Sequence, residues 1–254
     1  RPRLLVMNVP SISSSDSLPN MDTIWQETID WFPNEQQRLQ LQFLYTAVVT
    51  ANHNLNLTRI TEPEEFWEKH LWDSLRGVGD LITSPDPLQV IDIGTGAGFP
   101  GLPLAIARTD WQVTLVDSTA KKVGFIQSIA PELRLNNTHP LVSRIEELGQ
   151  QSQHRHQYDL ALLRAVATAN VCAEYALPLV KIGGIAILYR GNWTEEEATS
   201  LELAVAKLGG KILKTDKFIT PISNSIRHCI WLQKISDTHP YYPRAVGIPT
   251  QKPL

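Results

Sequence analysis

The chain has 254 residues, 43% of them hydrophobic, which is enough for one large α/β domain, or a domain with an appendage, and its own core. Cys172 and Cys229 lie singly in apolar segments, which indicates buried structural thiols rather than disulfides or nucleophiles. No apolar run approaches the ~20 residues of a membrane span, the amino terminus lacks a signal-peptide core, and no Cys/His spacing resembles a zinc site. We expect a soluble cytoplasmic protein without metal or membrane contact.

The formal net charge is −3, which taken alone argues against nucleic-acid binding, because phosphate contacts come from basic surfaces. Arginine and lysine nevertheless recur after the predicted strands described below. A local basic surface and ordinary solvated charge both stay open from this pattern.

Residues 1–20 precede the first periodic segment and contain the serine-rich stretch SISSSDS at 11–17. Low hydrophobicity without a period is typical of disorder. We expect residues 1–20 to be a disordered extension, with Met21 a candidate for the original start.

Residues 21–80 carry a helical pattern. Apolar residues at helical spacing follow Pro33-Asn34, and a second helix is predicted after the acidic stretch at 62–65. We expect an all-helical cap whose aromatic residues pack on a sheet.

From Leu88 onward strands and helices alternate, which predicts an α/β domain over residues 81–235 with a mostly parallel sheet covered on both faces. We predict strands near 88–93, 112–117, 140–144, 158–163, 184–190, 211–219 and 227–234. We predict helices near 100–108, 119–134, 168–178 and 194–208. The last two strands can form an antiparallel hairpin, and residues 236–254 form a basic, proline-containing tail.

Residues 90–101, VIDIGTGAGFPG, predict a buried strand running into a glycine-rich turn that opens a helix. Glycine tolerates positive φ and lacks the Cβ that would keep a ligand from the backbone. Such a turn brings the backbone close to a nucleotide, so we expect a ligand that contains adenosine.

Two cofactors fit this turn. Gly96, Gly98 and Gly101 match the dinucleotide fingerprint, with Asp117 about 20 residues on to meet a ribose hydroxyl. The spacing Asp92-x-Gly94-x-Gly96-x-Gly98 instead resembles motif I of S-adenosylmethionine (SAM) methyltransferases. We favour SAM because the dinucleotide fingerprint needs no residue at the place of Asp92 and the chain has no second domain to hold a dehydrogenase substrate. Seven strands with a final hairpin resemble the Rossmann-like class I SAM-dependent methyltransferase fold.

The choice of methyl-acceptor atom is narrowed by the motifs and catalytic groups that other acceptor atoms require. The fourth predicted strand ends in residues 163–167, LRAVA, where an amino-methylating enzyme usually has an Asn/Asp-Pro-Pro-aromatic motif. Methylation at cytosine C5 needs a cysteine nucleophile, and a hydroxyl acceptor needs a base or metal. Guanine N7 presents a lone pair and carries no proton, so a site without a base suits it, although this elimination does not single it out.

Several segments together resemble one family, the bacterial 16S rRNA guanine-N7 methyltransferases, also called glucose-inhibited division protein B. The matching segments are Asn56-Leu57-Thr58, His70-x-x-Asp73-Ser74, 92–101, Leu115-Val116-Asp117-Ser118-Thr119-x-Lys121-Lys122, 144–147, Tyr158-Asp159 through Arg164-Ala165, Arg227-His228, and Tyr242-Pro243-Arg244 through Leu254. The resemblance covers about residues 23–254.

The resemblance implies a SAM-dependent enzyme that makes 7-methylguanosine in the decoding region of small-subunit rRNA, in the bacterial cytoplasm, with the 30S particle as partner. It assigns no certain catalytic residue, but places Arg164 along the active site. The cofactor contacts that it implies are Gly94, Phe99, Asp117, Ser118, Thr119, Ile145, Glu146 and Arg164.

Two positions depart from the family pattern. Arg190 stands where many members have lysine, and Ala51 stands where many have tryptophan. Both leave the reaction type intact and bear on RNA docking. We expect the RNA-docking surface to combine a mobile tail with Arg190, Arg227, Arg244 and Lys252.

Three other functions remain open from the sequence. One is a SAM-dependent methyltransferase acting on a small molecule or protein, which shares the cofactor half. A second is a non-catalytic protein that binds RNA or ribosomes, and the third is an NAD enzyme. A monomer is the default oligomeric state.

Overall fold

The structure is a computed structural model that describes residues 16–254. Its centre is a seven-stranded sheet. The strands are β1 (Gln89–Ile93), β2 (Gln112–Asp117), β3 (Thr138–Val142), β4 (Tyr158–Arg164), β5 (Val180–Arg190), β6 (Gly210–Ile219) and β7 (Ile226–Lys234).

The strand order across the sheet is β3-β2-β1-β4-β5-β7-β6. All pairs from β3 to β5 are parallel, whereas β7 is antiparallel to both β5 and β6. The chain order reverses between β1 and β4, so a crevice forms there at the carboxyl ends of the strands. This topology confirms the predicted mostly parallel sheet and the terminal hairpin.

Helices cover both faces of the sheet. They are α1 (Asp22–Ile29), α2 (Glu35–Leu55), α3 (Pro63–Phe66), α4 (Asp73–Arg76), α5 (Gly101–Ala107), α6 (Ala120–Ile129), α7 (Ile145–Leu148), α8 (Ala169–Ala176), α9 (Glu195–Lys207) and α10 (Ile248–Gln251). A π-helical segment, Trp67–Trp72, joins α3 to α4 without a break. Capping boxes start the two long helices, Asn34 with Gln37 for α2 and Thr194 with Glu197 for α9.

Two apolar clusters lie on opposite faces of the sheet, because alternate strand residues point to opposite sides. Along β4, Leu160 and Leu162 face the cluster that the amino-terminal helices complete, while Ala161 and Leu163 face α8 and α9. Aromatic residues of the amino-terminal helices are buried in the first cluster, as predicted: Trp25, Tyr45, Phe66, Trp67 and Trp72. Both cysteines are buried and free, also as predicted.

The predicted element bounds differ from the structure in places. β3 begins two residues before the predicted 140–144, and β5 begins at Val180 rather than 184. Helix α6 ends at Ile129 instead of 134, because Pro131 has no amide hydrogen to donate and Arg134 has a φ of 56°. The short helices α7 and α10 have no counterpart in the prediction.

The sequence predicts a disordered segment at residues 1–20 and a mobile carboxyl-terminal tail. Residues 1–15 lie outside the described residues, but the expected disorder is wrong for residues 16–20. There the amide of Leu18 donates to Gln42 Oε1 at 2.8 Å and the side chain packs on the first cluster. The tail also lies against the domain, since Gln150 Nε2 donates to the carbonyl of Pro243 (2.8 Å) and Asn170 Nδ2 to that of Leu254 (2.6 Å). Between residues 16 and 254, no helix has the length and apolar character needed to cross a bilayer.

Candidate active site

The glycine turn between β1 and α5 adopts a conformation that favours glycine. Gly94, Gly96 and Gly98 have φ angles of 66°, 60° and 106°. A Cβ on Gly94 would come within 2.8 Å of Val166 Cγ2. The turn therefore depends on glycine both for its dihedral angles and for close packing against the loop after β4.

Asp92, the last but one residue of β1, holds this turn in place. Its Oδ2 accepts hydrogen bonds from Thr95 Oγ1 at 2.6 Å and from the amide of Gly101 at 2.8 Å. The side chain is fully buried, and Oδ1 has no hydrogen-bond partner among the described residues. Burial raises the pKa of Asp92 to about 7, against the hydrogen bonds from Thr95 and Gly101, which lower it. Asp92 thus stabilises the conformation of the glycine turn from the buried side of the loop.

Asp117, which ends β2, connects the glycine turn to the next loop. Its Oδ2 accepts from the amide of Gly96 and its Oδ1 from the amide of Thr119, both at 2.9 Å. Each carboxylate oxygen has a further lone pair. The carboxylate can therefore accept from a ribose hydroxyl while it keeps the turn fixed.

A cavity of about 350 Å³ lies at the carboxyl ends of β1 to β4, at the crevice that the strand order creates. We call it the strand-end cavity. Its lining residues are Ile93, Gly94, Val116, Asp117, Ser118, Lys122, Ser143, Arg144, Ile145, Glu146, Ala165, Val166, Tyr175 and Thr250.

Glu146 supplies this cavity with an unused buried acceptor. Its Oε1 accepts from Arg144 at 2.9 Å, from the amide of Gly247 at 3.3 Å and from the Tyr175 hydroxyl at 3.4 Å. Its Oε2 is buried and has no partner among the described residues. A buried acceptor without a donor costs free energy, so a ligand that brings an amino or hydroxyl donor fits here. An adenosine group meets that requirement.

A second, larger cavity of about 650 Å³ shares Ala165 with the first. We call it the arginine cavity. Ala165 follows β4 directly and has a φ of 55°, unusual for a residue other than glycine and typical of functional sites. The charged lining residues are four cations, Lys69, Arg164, Arg190 and Arg227, and two carboxylates, Glu68 and Asp73.

Arg164 lies in the arginine cavity and is held by the π-helical segment. Its Nη1 donates to the carbonyl of Lys69 at 2.8 Å, and its Nη2 donates to His70 Nδ1 at 2.6 Å. Asp73 approaches Nη1 at 3.6 Å. Nearby, Arg190 donates from Nη1 to the carbonyl of Ala167 at 2.7 Å.

Five of the eight predicted cofactor residues line the strand-end cavity: Gly94, Asp117, Ser118, Ile145 and Glu146. Thr119 precedes α6 and only its amide reaches Asp117. Phe99 does not line the cavity; its ring stacks on His70, with centroids 4.7 Å apart and planes 13° apart. Arg164 lines the neighbouring arginine cavity instead.

Two of the four predicted RNA-binding residues line the arginine cavity and two do not. Arg190 and Arg227 line the arginine cavity together. Arg244 instead donates to the buried carboxylate of Glu174, at 2.9 and 2.7 Å, and to the carbonyl of Lys252. Arg244 is thus paired within the domain, as Arg227 is with Asp73, and the docking surface of the four residues stays a prediction.

Sequence reasoning missed several lining residues. Ser143 and Arg144 follow β3 directly, so the rule that ligands bind at the carboxyl ends of parallel strands could have found them. Glu68 and Asp73 stand in or beside the motif shared with the family, but nothing local assigned them a role. Tyr175 and Thr250 reach the strand-end cavity through packing of α8 and the tail, which no local signal reveals.

The strand order and the glycine turn at its reversal define a class I methyltransferase fold. Solved structures agree. A mutant of the 16S rRNA (adenine(1408)-N(1))-methyltransferase from Catenulisporales acidiphilia has a TM-score of 0.52 at 16% identity, covering 63% of this chain and 90% of that one. The antibiotic-resistance methyltransferase Kmr has a TM-score of 0.51 at 16% identity, covering 63% and 92%.

The chain belongs to the GidB family, described as rRNA small subunit methyltransferase G, whose model matches residues 37–229. Relatives named ribosomal RNA small subunit methyltransferase G cover nearly the whole chain. The one from Trichormus variabilis is 59% identical over 241 residues, which is 93% of this chain and 98% of that protein. The one from Synechococcus elongatus is 54% identical over 230 residues, 91% and 95% respectively. The chain is therefore an enzyme of the methyltransferase class.

Proposed function

We propose that this enzyme transfers a methyl group from SAM to N7 of one guanine in 16S rRNA, within the 30S particle in the bacterial cytoplasm. The observation that carries the proposal is the shared wall at Ala165 between the strand-end cavity and the arginine cavity. A donor in the first cavity and a nucleotide in the second meet at that residue. The family membership supplies the RNA class of the acceptor.

The strand-end cavity suits SAM. Asp117 can accept from the ribose hydroxyls, Glu146 Oε2 can accept from the adenosine, and Gly94 allows the ligand to approach the backbone. When bound, SAM would supply a methyl carbon on a sulfonium, so that an in-line nucleophile bonds to this carbon while the carbon–sulfur bond breaks and the neutral thioether leaves. The protein then has to orient donor and acceptor and to keep water away from them.

Among the described residues, the acidic and phenolic side chains that line the arginine cavity are all engaged in hydrogen bonds. Asp73 accepts from Arg227, and Glu68 accepts from the amides of Ile222 and Ser223 at 2.5 and 2.9 Å. The hydroxyl of Tyr189 donates to the carbonyl of Ser74 at 2.8 Å, and burial raises its pKa well above the usual value. Guanine N7 needs no base, because its lone pair attacks directly and no proton leaves. The arrangement supports N7 as the acceptor.

The charge of the arginine cavity suits RNA. Four cations against two carboxylates leave a positive balance, although the whole chain has a net charge of −3. A guanine must leave its stack to reach the shared wall at Ala165, and guanidinium groups can hold its O6 edge and the flanking phosphates. Specific RNA recognition commonly uses such splayed bases.

Methyl transfer from labelled SAM to 30S particles tests the proposal. The particles come from a strain that lacks this methyltransferase, and the product RNA is digested to nucleosides. We expect the label in 7-methylguanosine. Label in another nucleoside would overturn the assignment of N7. SAM binding without any transfer would favour a non-catalytic RNA-binding protein or a small-molecule enzyme.

A further inference from the structure

His70 lies behind the arginine cavity and is held through both of its ring nitrogens, one of which contacts Arg164 in the cavity lining. Nδ1 lies 2.6 Å from Nη2 of Arg164, and Nε2 lies 2.8 Å from Oγ1 of Thr58. A guanidinium has donors only, so Nδ1 must present its lone pair to Arg164. The proton of the neutral ring is therefore on Nε2, which donates to Thr58.

The ring face of His70 contacts the glycine turn. It stacks on Phe99 at 4.7 Å, and Phe66 meets it edge-on at 4.9 Å. His70 is 7% exposed. Burial, with the charges of Arg164 and Lys69, lowers the pKa of His70 to about 3, which keeps the ring neutral and Nδ1 available as an acceptor. The orientation of Arg164 is thus tied to the loop that shapes the SAM site.

Arg164 keeps donors for a ligand in this arrangement. Of the five N–H groups of a guanidinium, one donates to the carbonyl of Lys69 and one to His70. The side chain is 15% exposed and lines the arginine cavity next to Ala165. Asp73 lies 3.6 Å from Nη1, and the N–H groups that remain can donate to an acceptor atom of a substrate in the arginine cavity.

We propose that His70 is a positioning residue for methyl transfer. It fixes the position of the Arg164 guanidinium relative to the glycine turn. Arg164 can then contact the nucleotide beside the transferred methyl group. The role rests on the proposed function, since it assumes a nucleotide in the arginine cavity. Nothing in it requires His70 to touch the substrate.

Two substitutions of similar chemistry separate this role from a structural one. In H70N the amide oxygen occupies the position of Nδ1 and can still accept from Arg164, although the ring stack on Phe99 is lost. In H70Q the amide nitrogen occupies the position of Nε2, and the acceptor for Arg164 is lost. H70F keeps the stack and removes both nitrogens.

We expect H70Q and H70F to lower kcat/KM on undermethylated 30S particles on the order of tenfold to a hundredfold, as a lost hydrogen bond to a charged group predicts. H70N should stay within about threefold of wild type, and the Kd for SAM should change by less than about threefold in all three. Thermal stability should follow another order, with H70N less stable than H70F because the small side chain leaves a cavity.

If activity followed thermal stability instead, with H70F above H70N, the positioning role would be overturned. T58V provides a second test if H70F does not fold, and it should lower kcat/KM several-fold because Nε2 loses its acceptor.

In the free protein, the ¹⁵N shifts of the His70 ring should show a protonated Nε2 and an unprotonated Nδ1. The opposite tautomer would contradict the proposal.

The wild-type assay separates the two proposals. If the wild-type enzyme forms no 7-methylguanosine, the proposed function fails and this role fails with it. If the wild-type enzyme is active and both H70Q and H70F match it, only the role of His70 fails.

Discussion

Asp73 and Arg227 lie 154 residues apart in the sequence, and in the fold Arg227 donates two hydrogen bonds to the Asp73 carboxylate, at 2.8 and 3.0 Å. Asp73 belongs to α4 and Arg227 to β7. The Asp73 side chain is 5% exposed, and the same carboxylate approaches Arg164. This pair joins the amino-terminal helices to the terminal hairpin and fixes one wall of the arginine cavity.

Removing the charge of Asp73 should destabilise the protein strongly. D73N leaves the partly buried guanidinium of Arg227 without a carboxylate, and breaking a buried pair from one side costs about 3 kcal/mol or more. Urea unfolding of both proteins measures the difference. E65Q is the control, because Glu65 and Lys69 form an ion pair in which both side chains are more than two-fifths exposed. That change should cost less than about 1 kcal/mol. Equal effects of D73N and E65Q would refute the role given to Asp73.

An alanine at Gly94 should weaken SAM binding. The φ of 66° is strained for alanine, and the new Cβ would collide with Val166 in the wall of the strand-end cavity. We expect a loss of stability of about 1 to 3 kcal/mol and a rise in the Kd for SAM of about tenfold or more, measured by denaturation and calorimetry.

Gly124 offers the matched control for Gly94. It lies within α6, and a Cβ there would meet no atom within 4 Å. G124A should raise stability by up to about 1 kcal/mol, because glycine is the poorer helix former. If G124A weakened SAM binding as much as G94A, the effect could not come from the glycine turn.

Reversing charge in the arginine cavity should weaken RNA binding alone. Lys69 and Arg190 line this cavity and lie outside the strand-end cavity. The double variant K69E/R190E should raise KM for 30S particles about tenfold or more, since phosphate contacts dominate such affinities. The Kd for SAM should stay unchanged. K207E/K211E makes the same charge change at two exposed positions outside both cavities and should leave KM as it is. A similar KM for both double variants would point to a general charge effect.

Stability should depend on pH through Asp92. Burial raises its pKa in the folded protein from 3.8 to about 7. Protonation of Asp92 therefore contributes to the free energy of unfolding. This contribution is fully present below about pH 4 and is lost as the pH rises through about 7. D92N has no carboxyl to ionise, so its stability relative to wild type should rise by about 2 to 3 kcal/mol between about pH 5 and about pH 8. Denaturation of both proteins at the two pH values measures this, and a constant difference would contradict the raised pKa.

The sequence predicts what is encoded locally. The glycine turn, the acid at the end of β2 and the alternation of strands and helices are all set by residues within a few positions of one another. These features were enough for the fold and the cofactor, and the family resemblance added five of the residues that line the strand-end cavity. The starts of β3 and β5 lie two and four residues before the predicted ones, because pairing with neighbouring strands decides where a strand begins.

Contacts between distant segments explain what the sequence left unpredicted. Arg244 looks like a free basic residue in a tail, yet Glu174, 70 residues away, binds it. Arg164 receives its orientation from Lys69 and His70, more than 90 residues earlier. Charge alone does not distinguish an arginine that faces a ligand from one that pairs inside the domain, and these pairings become visible only in three dimensions.

The most direct test of the central claim maps the methylated atom and its position together. Methylation at N7 makes a guanosine sensitive to borohydride reduction followed by aniline cleavage. The 16S rRNA of particles from the deficient strain is cleaved before and after reaction with the enzyme and SAM, and the ends are located by primer extension. We predict one new cleavage, at a single guanine of the decoding region. Methyl label incorporated into RNA that shows no new cleavage would contradict transfer to guanine N7.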